Sequence, residues 1–185
     1  MMAGRPTLMP NSPAKRPIDV RIFPAFRSQV KAAWAKRVLA AALEAGDPGG
    51  AAGASVVVAD DNTLLDLNAR FRGLNEVTDV LSFGDTSPSV GEGVNPESGV
   101  SFPAAPDTEA SHGEVILSYP LAMRQAREHN VATEQEVALL MVHGVLHLMG
   151  HDHAEPDEEA IMRSLEKQVL EQLAADGLLP AGFAG

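Results

Sequence analysis

The chain has 185 residues, of which 45% are apolar and 21% charged, and this balance excludes a disordered or membrane-embedded protein. The absence of cysteine excludes disulfides, thiol nucleophiles and cysteine-ligated metal centres. The net charge of −11, taken over the whole chain, argues against a nucleic-acid partner. The charge is unevenly distributed, however, because residues 1–40 hold eight of the fourteen basic side chains and only one of the twenty-five acids.

The ends of the chain differ in composition from its middle. Residues 1–16 are basic and rich in proline, so we predict a flexible basic tail there, a single domain over 17–176 and a second flexible tail over 177–185. No apolar run approaches the roughly 18–20 residues of a membrane span, and the N-terminus lacks the apolar core of a secretion signal. We therefore expect a cytoplasmic protein with no membrane partner.

Apolar periodicity and capping residues predict nine elements along the domain. Strands are predicted where apolar residues alternate with polar ones or form short β-branched runs, and helices where Pro24, Asp60, Pro120 or Thr133 can begin one. The predicted strands are 18–22, 55–59, 79–83 and 114–118, and the predicted helices are 24–46, 60–71, 120–130, 133–149 and 156–175.

These elements favour a single α/β domain with a four-stranded mixed sheet packed with helices, because strands and helices do not strictly alternate. Thr133 and Glu136 are expected to form a capping box for the fourth helix. Residues 84–112 are rich in Gly, Pro and Ser, so we predict a surface excursion or a hairpin between the third and fourth strands.

Four of the six histidines lie within eleven residues, at His143, His147, His151 and His153. On a helix, His143 and His147 share one face with Cβ atoms roughly 5–6 Å apart, so both imidazoles can reach one ion. Gly150 can end the helix in a left-handed conformation and turn His153 toward the same ion. Three nitrogen ligands plus water describe a catalytic zinc site, predicted here at the end of a helix in the C-terminal half.

The neighbours of the three histidines leave alternatives open. The spacing is that of metzincin peptidases, but Gly144 stands where those enzymes have their general base. His151 and Asp152 either orient a ligand imidazole or are merely exposed. Glu114, at the start of a strand, either holds a water, pairs with an arginine or is solvated.

Two arginines end the second predicted helix. Arg70 and Arg72 present guanidinium groups whose geometry matches phosphate oxygens, which makes them candidates for RNA binding and for stabilising a phosphoryl transition state. The alternative is that they only complement the helix dipole. If RNA is bound, we expect these arginines and the basic first helix to form a positive strip leading to the metal.

Two segments resemble the YbeY family of bacterial rRNA maturation factors, which are metal-dependent endoribonucleases: FRGLNEVTDVLSF at 71–83 and HGVLHLMGHDH at 143–153. The likeness covers roughly residues 17–175. It implies zinc ligands at His143, His147 and His153, a functionally important Arg72, and a YbeY-like metallohydrolase domain.

The resemblance also implies a biological role. It implies cleavage of single-stranded RNA, maturation of the 3′ end of small-subunit 16S rRNA and ribosome quality control, with the ribosome or ribosomal proteins as partners and no DNA. Two alternatives remain: another three-His metallohydrolase acting on a peptide or small ester, and a non-catalytic ribosome-assembly factor with structural zinc. A fourth protein ligand to the metal would favour the assembly factor.

Overall fold

The computed structural model describes residues 16–84, 110–151 and 155–180, which form one α/β domain with a four-stranded mixed sheet and five α-helices. In chain order the elements are β1 (Ile18–Ile22), a 3-10 helix (Pro24–Phe26), α1 (Ala32–Gly46), β2 (Gly53–Ala59), α2 (Asp61–Arg72), β3 (Val80–Gly84), β4 (Ser111–Ser118), α3 (Tyr119–His129), α4 (Thr133–Leu148) and α5 (Pro156–Ala175).

The strand order is β1-β2-β4-β3, which confirms the predicted four-stranded mixed sheet. The first three strands in this order are parallel, whereas β3 runs antiparallel to β4 at one edge. The strands that flank the predicted excursion are therefore antiparallel neighbours, as in a hairpin. Since β4 begins at Ser111 rather than at Glu114, the excursion ends earlier than predicted, and residues 85–109 lie outside the described part of the chain.

The sheet is covered on both faces, and the two faces carry different helices. The main core lies between one face and the layer of α1, α4 and α5, with Val115 and Leu117 of β4 pointing into it. The other face packs on α2 through a smaller cluster that includes Leu64, Leu81 and Ile116. Helix α4 is the central helix, because residues on nearly all of its sides are buried.

Two local predictions are wrong. The helix predicted over 24–46 is interrupted, because the chain turns after the 3-10 helix to bury Val30 and begins α1 only at Ala32. Helix α4 is capped at Ala132, whose N–H donates to Gln135 Oε1 at 2.9 Å, so Thr133 is already inside the helix. Glu136 is used instead to bind His129 of α3.

The first and last described segments of the chain, near residues 16 and 180, pack against α1 or its C-terminal end. Arg16 forms ion pairs with Glu44 and Asp47. Leu179 is buried, and Trp34 Nε1 donates to the carbonyl oxygen of residue 178 at 2.9 Å. Packed structure thus extends past the predicted boundary at 176, while 1–15 and 181–185 are not described. Of the helices that are described, none combines the length and apolar character needed to cross a membrane.

Candidate functional site

Helix α4 brings two of the predicted metal ligands together. His143 and His147 are both half-buried, and their Nε2 atoms lie 3.0 Å apart. Their rings meet edge to face, with centroids 4.5 Å apart. Two imidazole nitrogens bound to one tetrahedral zinc ion at about 2.0–2.1 Å would be roughly 3.3 Å apart, so this donor pair fits one ion with a small adjustment.

The chain reverses after α4 as the glycine predicts. Gly150 has a φ of 85°, the left-handed region that favours glycine, and its N–H donates to the carbonyl oxygen of His147 at 3.0 Å. His151 is half-buried at this turn, with its N–H bound to the carbonyl of Leu146. Asp152 and His153 lie outside the described residues, and within the described ranges no three His, Asp, Glu or Cys side chains form a group that could hold a metal.

Sequence reasoning missed a carboxylate behind the first histidine. Glu166 of α5 places Oε1 2.8 Å from His143 Nδ1, on the opposite side of the ring from His147. A signal was present, because Glu166 falls four residues after Met162 and three before Val169, both buried, so it interrupts the apolar stripe of α5.

The histidine pair lines a cavity of about 560 Å³ between the end of α2, strand β3 and the end of α4. Its size lies within the roughly 300–1,000 Å³ of typical small-ligand sites. The cavity is also lined by Arg72 from α2 and by Thr78, Asp79 and Ser82 from the segment that follows it. The two motifs quoted above, far apart in sequence, therefore meet in this cavity.

Of the two candidate arginines, the structure brings only Arg72 to the histidines. Helix α2 ends at Arg72 because Gly73 adopts a φ of 70°, and the Arg72 side chain is exposed without a hydrogen bond or ion pair to another described residue. Arg70 points elsewhere and pairs with Asp66, with 3.0 Å between Nε and Oδ1. The cavity wall does not include Arg70.

The polar residues of the β3 wall are engaged within the protein. Ser82 Oγ donates to the carbonyl oxygen of Gly144 at 3.0 Å. Asp79 accepts from Gln125 Nε2 at 2.9 Å and from the N–H of Val80 at 2.8 Å. These bonds fix β3 against α3 and α4, so they shape the cavity.

Gly144 is the point where α4 touches the sheet. A Cβ there would lie 2.6 Å from a methyl carbon of Val115 and 3.1 Å from Ser82 Oγ. Any side chain would therefore force α4 away from β3 and β4. The glycine that replaces the metzincin base thus has a packing reason of its own.

Glu114 does not belong to the site. Successive residues of a strand point to opposite faces, so Glu114 lies on the face of β4 opposite Val115 and α4. There it accepts a hydrogen bond from Ser55 Oγ at 3.2 Å and pairs with Arg21. Of the alternatives open for Glu114, the structure shows the ion pair with an arginine.

The predicted basic strip is interrupted. Helix α1 packs beside β1, and the strand order places β1 at the edge of the sheet opposite β3 and the cavity. The basic residues of α1 are therefore separated from Arg72 by the width of the sheet. Among the residues that the structure describes, Arg72 is the arginine or lysine that lines the cavity.

The start of α2 is held by an ionic contact. Asp61 accepts from Ser118 Oγ at 2.5 Å and from Arg124 Nη1 at 2.9 Å. Burial by itself raises the pKa of Asp61, but the hydrogen bonds from Arg124 and Ser118 bring it below its usual value. This contact ties α2 to β4 and α3.

Comparisons with known proteins agree in pointing to one family. A family model described as Endoribonuclease YbeY matches residues 24–174. Endoribonuclease YbeY of Dehalococcoides mccartyi strain 195 is 39% identical over 152 residues, covering 80% of this chain and 84% of that protein. Endoribonuclease YbeY of Roseiflexus castenholzii is 34% identical over 154 residues, covering 83% and 90%.

One solved structure is similar in fold. The solution structure of TM1509 from Thermotoga maritima superimposes with a TM-score of 0.51 at 20% identity, covering 89% of this chain and 99% of that one. This likeness bears on the fold alone.

Proposed function

Because the chain belongs to the YbeY endoribonuclease family, we propose that it is a zinc-dependent endoribonuclease that cleaves single-stranded RNA and matures the 3′ end of 16S rRNA. The observation that carries the proposal is that His143, His147 and Arg72 line the same cavity. The ribosome or its proteins would present the RNA strand, and the cytoplasm would be the place of action.

The donor set suits one zinc ion. His143 and His147 offer Nε2 atoms 3.0 Å apart, and His153, beyond the described ranges, is the third ligand in this proposal. A bound zinc ion would supply a Lewis acid that polarises a phosphoryl oxygen and lowers the pKa of a water molecule toward about 7.

Arg72 is the residue best placed to hold the scissile phosphate. Its guanidinium group carries five donors in a rigid fork, and no described side chain competes for them. Two parallel hydrogen bonds to phosphate oxygens would orient the RNA and stabilise the charge that develops during attack. Ser82 and Asp79 position the wall instead, since both are already hydrogen-bonded within the protein.

RNA is favoured over a peptide by the crowding at Gly144. A metzincin needs a carboxylate at that position as its base, and the contact of α4 with Val115 leaves no room for one. The phosphodiester cleavage proposed here assigns no role to a side chain at position 144.

Two substitutions and a matched control test this function. His147→Ala should remove zinc and lower cleavage of a single-stranded RNA by at least about 100-fold, because a ligand is lost. Arg72→Ala should keep zinc and lower cleavage about 100-fold, the usual loss for a transition-state donor. Arg127→Ala, which removes an exposed arginine of α3, should change neither. The measurements are metal content by elemental analysis and cleavage rate.

Assays with other substrates separate the endoribonuclease from the alternative functions. A duplex of the same sequence should resist cleavage, and casein should be untouched. Undiminished RNA cleavage by His147→Ala would overturn the metal mechanism. Loss of folding on chelation, without any cleavage by wild type, would favour the assembly factor with structural zinc.

A further inference from the structure

Each ring nitrogen of His143 faces a different group. Nδ1 lies 2.8 Å from Glu166 Oε1, and Nε2 lies 3.0 Å from His147 Nε2 inside the cavity. The carboxylate comes from α5 and the second imidazole from α4, the helix that also carries His143, so the ring links the two helices.

The carboxylate determines which nitrogen carries the proton. An ionised carboxylate only accepts hydrogen bonds, so a neutral imidazole that binds it through Nδ1 must have its hydrogen there. Nε2 then carries its lone pair, which is directed toward the cavity and His147. Without Glu166, a neutral imidazole can place its hydrogen on Nε2, where it blocks the lone pair that a metal needs.

Apolar packing does not explain Glu166. Its side chain is 15% exposed, and His143 is its one hydrogen-bonding partner among the described residues. It stands in a helix stripe whose neighbouring members, Met162 and Val169, are buried and apolar. A carboxylate at such a position costs stability relative to an apolar residue, which points to a role beyond packing.

We propose that Glu166 is a positioning residue that holds His143 in the tautomer protonated at Nδ1, so that Nε2 is ready to bind metal. The inference rests on the proposed function, since it takes His143 as a zinc ligand. Carboxylates behind ligating histidines are a recurring device in metal sites, and removing one usually weakens metal binding about 10–100-fold.

The tautomer is measured directly on the full chain. In metal-free protein labelled with nitrogen-15, long-range proton–nitrogen spectra at about pH 8, above the usual histidine pKa, report which ring nitrogen is protonated. We expect Nδ1 protonation of His143 in wild type and in Glu166→Gln, whose amide oxygen still accepts. We expect a shift toward Nε2 protonation in Glu166→Ala.

Zinc affinity, measured by competition with a chromophoric chelator, gives the second readout. Glu166→Ala should weaken binding about 10–100-fold, Glu166→Gln should weaken it less, and Glu171→Ala, an exposed carboxylate of the same helix paired with Lys167, should leave it unchanged. Thermal unfolding of each variant checks that the chain is folded.

The outcomes separate this inference from the proposed function. An unchanged His143 tautomer and zinc affinity in Glu166→Ala would overturn the positioning role even if RNA is cleaved. A tautomer that follows Glu166 while wild type neither binds zinc nor cleaves RNA would support the positioning of the ring and overturn the function.

Discussion

The described part of the chain contains two histidine–glutamate pairs with similar local geometry and different surroundings. His143 Nδ1 lies 2.8 Å from Glu166 and His129 Nδ1 lies 3.1 Å from Glu136, and each pair joins two neighbouring helices. The side chain of His129 is 57% exposed at the end of α3, whereas that of His143 is 29% exposed and faces His147 across the cavity.

The difference lies at the second ring nitrogen. In the pair that joins α3 to α4, the buried partner is Glu136, in the first turn of α4, where the helix dipole favours an acid. In the pair that joins α4 to α5, Nε2 of His143 lies 3.0 Å from a second imidazole, in a cavity that Arg72 also lines. A histidine–glutamate contact thus ties helices together in both places and takes part in a candidate site in one.

The largest expected effect separates the two histidines by activity. His143→Ala should abolish zinc binding and lower single-stranded RNA cleavage by at least about 100-fold, because it removes a ligand. His129→Ala should keep zinc and stay within about twofold of wild type, since it is remote from the cavity wall. The measurements are metal content and cleavage rate. Equal losses in both variants would contradict the view that only His143 belongs to the candidate site.

The second effect separates the two glutamates by stability. Glu136→Ala should lower the free energy of unfolding by about 1–2 kcal/mol, because it removes a buried acceptor from His129 and from the start of α4. Glu166→Ala should cost less, since the Glu166 side chain is 15% exposed and that of Glu136 only 4%. Urea unfolding of the zinc-free proteins measures both free energies. A larger loss of stability for Glu166→Ala than for Glu136→Ala would show that Glu166 makes the larger structural contribution, contrary to this prediction.

The smallest effect concerns a carboxylate held by an arginine instead of a histidine. Because the pKa of Asp61 is lowered in the fold, its bonds to Arg124 and Ser118 stabilise the protein above the unfolded pKa of about 3.9 and are lost as pH falls through the lower folded value. Below about pH 4, wild type should therefore lose stability more steeply than Asp61→Asn, by a few tenths of a kcal/mol to about one. The free energies of unfolding of both proteins are measured by chemical denaturation at several pH values. An equal fall in the two free energies below about pH 4 would contradict this prediction.

How far the sequence predicts the structure depends on how local each feature is. The bounds of α5 and the position of His143 and His147 on one helix follow from periodicity and spacing within single segments. The four strands are also found where predicted, within a few residues. These features depend on neighbours in sequence, so local patterns are sufficient.

Features that depend on packing between elements were missed. The contact of Glu166 with His143 requires knowing which side of α5 meets α4, and the orientation of Glu114 away from the site requires knowing which face of β4 the helix covers. The late start of α1 follows from the burial of Val30. The prediction of a functional role for Arg72 came from the family resemblance, and the fact that Arg72 lines the same cavity as the histidines is visible only in three dimensions.

The contact at Gly144 also limits how the scaffold can be redesigned. A protein engineer who wished to install a general base beside the histidines would have to shorten Val115 on β4 first, because its methyl carbon occupies the space that a Cβ at 144 needs. Shortening Val115 alone would leave a void in the main core and would not yet add a catalytic group at position 144. A stepwise route from this site to a glutamate-assisted hydrolase therefore passes through a less stable intermediate.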